Sequence, residues 1–195
     1  VLGVDVARHG DDQSVTTRRQ ANHVWPQRKF RIPNLMDLAD VVAAEIHEFK
    51  PDAVFIDATG LGWGLIDRLR QMGFGRKLFG VQVGEKALAA DRYWNKRSEL
   101  WAAGKAWLEE GGCLPEDPEM ETDLTGPQYG YDNRMRIVVE SKDDMKARGL
   151  SSPDCADSLL LTFASPIAPN TTSPAKSWRD RLNMRSGNQG SAQAA

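Results

Sequence analysis

Two short apolar runs, each carrying an aspartate, constrain this chain more than any other feature: Leu2-Gly-Val-Asp-Val-Ala7 near its start, with Asp5 inside it, and Ala53-Val-Phe-Ile-Asp57 further on. Continuous apolar stretches this short, bounded by turn residues, read as strands, and the second has the character of a buried parallel strand. A carboxylate inside such a run is costly unless it lies at the strand end or faces a positive partner. The C-terminal ends of strands in open α/β sheets are also where ligands gather. Asp5 and Asp57 are therefore expected to hold something positive at one edge of a sheet.

The rest of the chain supplies the layers such a sheet needs. After Gly10-Asp-Asp12, residues 14–18 and 23–30 read as two further strands of a meander, with Pro26 marking an edge or a bulge. From Asn34, a favourable N-cap, Leu35, Leu38, Val42, Ile46 and Phe49 recur at helical spacing until Pro51. The glycine-rich Thr59-Gly-Leu-Gly-Trp-Gly64 leads into a helix over residues 65–72, and residues 78–83 form another strand. A long helix is expected over 91–110, with Trp94, Trp101 and Leu108 on one stripe facing the core. Residues 135–139 make a last strand, preceded by the glycine-rich loop 126–133. Ser152 then caps a helix that Pro153 opens at its first position and that runs to Phe163. The expected class is α/β, a mixed central sheet flanked by helices. Residues 1–165 form the folded part, and 166–195 are a flexible tail too polar to bury a core.

Composition narrows the function. With 195 residues the chain suits one sizeable core, and 25 Lys plus Arg against 27 Asp plus Glu leave a net charge of -2. No global positive field advertises a polyanion partner, so any such site is local. Cys113 and Cys155 fit neither a disulfide framework nor a zinc spacing, which agrees with a reducing cytosol. No apolar run reaches the roughly 20 residues that span a bilayer, and no leader opens the chain. The absence of an initiating methionine suggests a piece of a longer polypeptide.

A third acidic pair, Asp154 and Asp157, falls in the first turn of the last helix, three residues apart and so able to face one side. Acids from three elements then converge. Mg²⁺ prefers carboxylate and water oxygens, with Mn²⁺ as a substitute, and two such ions activate a water and stabilise a leaving oxygen in phosphodiester cleavage. Carboxylates that close repel one another, so without metal the site should be strained or partly protonated, and inactive. Asp11, Asp12, Asp143 and Asp144 read instead as turn or solvated residues, and Thr59 to Gly64 lacks the third glycine of a dinucleotide loop.

In their order and spacing, three motifs resemble those of the C-terminal nuclease domain of the large terminase subunit of tailed bacteriophages. They are Gly3-Val-Asp-Val-Ala7 with Gly10-Asp-Asp-Gln-Ser14, Val54-Phe-Ile-Asp-Ala-Thr-Gly60, and Ser152-Pro-Asp-Cys-Ala-Asp-Ser158. The resemblance implies a ribonuclease H-like fold over residues 1–165 and an endonuclease that cuts concatemeric double-stranded DNA during packaging. It further implies catalytic, metal-binding aspartates at Asp5 and Asp57, with Asp154 and Asp157 sharing the third position unresolved. The implied partners are an upstream ATPase motor, the small terminase subunit and the portal protein, and the implied location is the cytoplasm of the infected bacterium. No Walker A loop is present, so ATP hydrolysis belongs elsewhere.

Duplex DNA requires several phosphate contacts. Lys142, Lys146 and Arg148 precede the third motif and are the first candidates, with Arg8, Lys96, Arg97, Arg134 and Arg136 behind them. The loop at 126–133 could form a DNA-facing hairpin. In the tail, residues 176–185 mix basic and bulky apolar groups at helical spacing, with Trp178, Leu182 and Arg185 on one face, as a portal-docking segment would. Two other readings stand beside the nuclease domain of a terminase: a resolvase or ribonuclease H on a similar fold, and a non-enzymatic docking module.

Overall fold

The structure, a computed structural model, describes residues 1–7, 13–32 and 34–167. Arg8, the Gly10-Asp-Asp12 turn and the tail with its segment 176–185 lie outside the described residues.

A mixed sheet forms the middle layer. Strand β1 (Leu2–Asp5) pairs antiparallel with β2 (Ser14–Gln20), and β3 (His23–Val24) and β4 (Arg28–Phe30) both lie along the outer side of β2. On its other side β1 runs parallel to β5 (Val54–Asp57), which in turn runs parallel to β6 (Leu78–Val81). The single strand expected over 23–30 is broken at Trp25-Pro26-Gln27, because Pro26 has no N–H for the ladder. Gln27 there turns its amide onto the Thr17 hydroxyl and the carbonyl of Cys155.

Strand alternation sorts the two faces. Leu2, Val4, Val54 and Ile56 pack under α1 (Leu35–Phe49) and α2 (Gly62–Gln71), against Leu38, Val42, Ile46, Leu65, Ile66 and Leu69. Fully burying each such side chain contributes about 1.5–3 kcal/mol. Helix α1 starts as expected, with the Asn34 side chain accepting from the Met36 N–H at 2.9 Å, and it stops at Lys50, whose left-handed φ of 53° precedes Pro51.

The opposite face carries Gly3, Phe55 and the two aspartates, and it is covered by α3 (Lys96–Glu109) and α6 (Asp154–Leu161). Gly3 permits this approach: a β-carbon there would sit 2.0 Å from the Ser158 carbonyl oxygen. The Ser158 hydroxyl bonds the carbonyl oxygens of Gly3 and Val15 and the Thr17 hydroxyl, fixing α6 across β1 and β2.

Helix α3 begins at Lys96, five residues later than the sequence predicts. The Asn95 side chain caps it by accepting from the Ser98 N–H at 3.0 Å, while the preceding Trp94 gives its own N–H to the Ile137 carbonyl. The buried stripe is consequently Leu100, Gly104 and Trp107. Trp94 is 51% exposed and lies under the Arg136 guanidinium, so it is no part of the core.

Two helices that the sequence reading lacked, α4 (Pro118–Thr125) and α5 (Lys142–Ala147), flank a small hairpin of β7 (Tyr129–Tyr131) and β8 (Ile137–Val139). Their start signals are present in the sequence: Asp117-Pro118 is a cap followed by a first-turn proline, and Ser141 caps through the Asp144 N–H. The expected helix at 152–163 is real but shorter, and Ser152 does not cap it, since Pro153 holds the N-cap position with no side-chain cap from its own residue.

Candidate active site

The parallel register of β1 and β5 pairs Val4 with Ile56, which brings Asp5 and Asp57 to the same end of neighbouring strands and onto the α6 face. Helix α6 crosses that face with its first turn at the strand ends, adding Asp154 and Asp157. The four acids inferred from sequence therefore meet at one sheet edge. Behind Asp57 the chain doubles back so tightly that a β-carbon on Gly62 would sit 1.6 Å from the Asp57 carbonyl oxygen. Asp57 Oδ1 accepts the Thr59 N–H at 2.9 Å, which orients the carboxylate in the bend.

Positive charge is already placed among these acids. Lys142, on the first turn of α5, puts its Nζ 2.8 Å from Asp157 Oδ2 and 3.9 Å from an oxygen of both Asp5 and Asp154. Arg97 Nη1 donates to both oxygens of Asp157, at 2.9 and 3.2 Å. Arg97 is itself 8% exposed, and its Nη2 has no hydrogen-bond partner. Asp57, Arg97 and Asp157 line one small recess with Val83, Leu100 and Trp101.

Burial pushes the carboxyl of Asp5 well above the ordinary aspartate range. The Lys142 ammonium opposes the rise, and Asp157, Asp57 and Asp154 add to it. For Lys142 burial works against the charge, but Asp5, Asp157 and Asp154 outweigh it and hold the ammonium protonated beyond the usual lysine range. Perturbation of this kind, from burial plus clustered charge at a strand edge, marks functional sites.

Among the described residues no three acidic, histidine or cysteine side chains are drawn into a ready cation cage. The donor set still fits a hard divalent cation: carboxylate oxygens from β1 and α6 surround a point where the fold has placed an ammonium group, and Asp57 ends the strand beside Asp5. Asp154 faces this point and also accepts the Gln13 N–H at 3.2 Å, whereas Asp157 is engaged by both Lys142 and Arg97.

The basic residues inferred as DNA contacts are placed differently from one another. Lys142 lies in the acidic cluster, and Lys146 is exposed on the same helix. Arg148 forks onto Glu140, at 2.6 Å to each oxygen, and bonds the Gly126 carbonyl, which ties α5 to the hairpin base. Lys96 pairs with Glu99, Arg136 with Asp132, and Arg134 is exposed at the hairpin turn. The hairpin presents Tyr129, Tyr131 and Met135 to solvent.

Arg97 and Lys142, expected from the sequence only as phosphate contacts, instead lie among the acids. Asp123 stands outside the residues expected from the sequence. This α4 residue is 6% exposed, and its Oδ2 accepts the Cys155 N–H at 2.8 Å. Nothing local could have shown this, because the two residues are 32 apart in the chain.

No family model and no curated protein sequence matches the chain. Solved structures do. The nuclease domain of the large terminase subunit gp2 of bacterial virus Sf6 matches with a TM-score of 0.71 at 19% identity, over 85% of this chain and 88% of that one. The large terminase nuclease of thermophilic phage G20c matches with a TM-score of 0.65 at 16% identity, over 85% and 81%. A Thermus phage large terminase nuclease domain matches with a TM-score of 0.60 at 15% identity, over 83% and 76%. Sf6 domains were solved with manganese and with calcium, and the G20c domain with magnesium and with cobalt. At these identities the likeness establishes architecture, and this chain has the fold of the nuclease domains of phage large terminase subunits.

Proposed function

We propose that this chain is a divalent-metal-dependent endonuclease domain that cuts double-stranded DNA during viral genome packaging. The observation that carries the reading is the meeting of Asp5, Asp154 and Asp157 around an ammonium group, with Asp57 at the end of the strand beside Asp5. Support also comes from the fold shared with the terminase nuclease domains of Sf6 and G20c, which were solved with manganese, magnesium or cobalt.

Asp5, Asp57 and Asp154 would hold the ions, with Asp157 oriented beside them by Arg97. Bound there, two divalent cations would supply an activated water and stabilise the departing oxygen. The chain's own residues do the rest. Cation charge there would favour the ionised form of the buried Asp5, and Lys142 would compete with a cation for the same oxygens. Exposed basic groups, Lys146 on the helix of Lys142 and Arg134 at the hairpin turn among them, would bind phosphates and hold the duplex across the carboxylates. Arg148 contributes by fixing α5 against the hairpin. On this reading the domain works in the cytoplasm of an infected bacterium, joined to an ATPase motor and meeting the small subunit and the portal.

The test is cleavage of supercoiled plasmid by the purified chain. Mg²⁺ and Mn²⁺ should support nicking and linearisation, Mn²⁺ at least as well. Ca²⁺, which prefers more ligands and longer bonds, should support little. Absence of cleavage with either of the first two ions, using folded protein, rejects the proposal.

A further inference from the structure

We infer that Asp123 is a positioning residue for the acidic site, reaching from α4 to cap α6 and so fixing the turn that carries Asp154 and Asp157. The inference rests on the nuclease reading above and adds to it a residue that touches neither metal nor DNA.

The first turn of a helix leaves N–H groups without intrahelical partners, and a helix whose own N-cap supplies no acceptor must find one elsewhere. Helix α6 is in that position, with Pro153 at its N-cap and the first acid of the site directly after it. The missing acceptor comes from a different element: Asp123 Oδ2 lies 2.8 Å from the Cys155 nitrogen, and the Ala156 N–H also bonds this carboxylate. These two residues separate Asp154 from Asp157. A shift of the Asp123 carboxylate therefore rotates both site carboxylates together.

Helix α4 is anchored for this task. Asp117 caps it, and Lys29 on β4 bridges Asp117 and Glu119 at 2.8 and 2.7 Å. Gln13 bonds Glu119 through its side chain and Asp154 through its backbone N–H, closing a path from α4 back to the site. Met120 packs with Cys155 and Leu159 in one buried cluster, with Leu124 against it, so the helices cannot slide freely. Outer groups that orient metal-binding side chains commonly govern affinity by about 10- to 100-fold.

The experiment measures Mn²⁺ binding to the full chain by electron paramagnetic resonance, and plasmid cleavage in parallel, for wild type and three variants. Asp123→Ala removes the acceptor. Asp123→Leu removes it while keeping the volume, which protects the fold should the alanine variant fail to form. Asp123→Asn keeps an acceptor oxygen. Folded Ala or Leu protein is expected to bind Mn²⁺ about tenfold more weakly, with kcat lowered and KM for DNA unchanged, and Asn is expected to stay within about threefold of wild type. Wild-type Mn²⁺ affinity in folded Asp123→Leu overturns the inference, and so does an Asn variant as weak as Leu. If the wild type binds Mn²⁺ without cutting DNA, the nuclease reading falls while these binding ratios still decide the role of Asp123.

Discussion

The ammonium of Lys142 stands 2.8 Å from Oδ2 of Asp157, inside the cluster of acids. An ammonium and a divalent cation cannot both occupy the shared oxygens at full strength. Lys142→Ala is accordingly expected to tighten Mn²⁺ binding several-fold and to lower the melting temperature of the metal-free protein, whose carboxylates then repel without a counter-charge. A calorimetric titration paired with thermal melts checks both. Weaker binding in the variant would show that the lysine supports the ion.

Asp5→Asn and Asp57→Asn should each abolish cleavage while leaving circular dichroism and melting close to wild type. An amide keeps the shape and loses the charge that a hard cation requires. The fold tolerates this at Asp5 because burial already disfavours its ionised form. Normal plasmid cutting by folded Asp57→Asn protein would remove Asp57 from the site.

Gly3→Ala tests whether the approach of α6 to β1 sets the site. The added methyl would meet a backbone carbonyl at 2.0 Å and Thr162 Cγ2 at 3.0 Å, so α6 itself has to move. Overpacking of this kind costs about 1–3 kcal/mol, which at this chain length lowers melting by roughly 3–10 °C. Cleavage should fall by about tenfold or more, since the displaced helix carries Asp154 and Asp157 away from Asp5. Unchanged melting and cutting would mean the contact is dispensable.

Asp123 also makes a pH prediction. Burial first, then Asp154 and Glu119, push its carboxyl up from the ordinary 3.8 to about 6, against the Cys155 and Ala156 N–H groups. The folded state thus holds this proton more tightly than the unfolded chain. The contribution to stability is fully present below the ordinary value, declines as pH rises towards about 6, and is flat above that. Asp123→Asn lacks the titration, so the difference in unfolding free energy should move in favour of the variant by about 2–3 kcal/mol between pH 4 and pH 7. Urea unfolding at several pH values measures it, and a constant difference would rule the titration out.

Periodicity and punctuation alone determined the frame. The apolar runs that carry Asp5 and Asp57, the cap at Asn34 and the stop at Pro51 are local signals that local geometry obeyed, although the first strand ends at Asp5 and not at Ala7. Strand alternation likewise made it legible that both acids would share an edge once β1 and β5 lay parallel. The third acidic pair was legible as a helix start, though its cap was misplaced, because Pro153 took the N-cap position and the acceptor came from Asp123 in a distant segment. Trp94 went astray for a related reason: pairing of its backbone with Ile137 outcompeted another turn of helix. What only the tertiary structure decided is the balance of charge at the site. Lys142 and Arg97 look in sequence like any surface cations, and a long flexible cation is directed by the field it folds into. The carboxylates of Asp5, Asp154 and Asp157 drew Lys142 inward, and Asp157 fixed Arg97, with Asp157 lying 15 and 60 residues from these cations, separations that no spacing rule encodes.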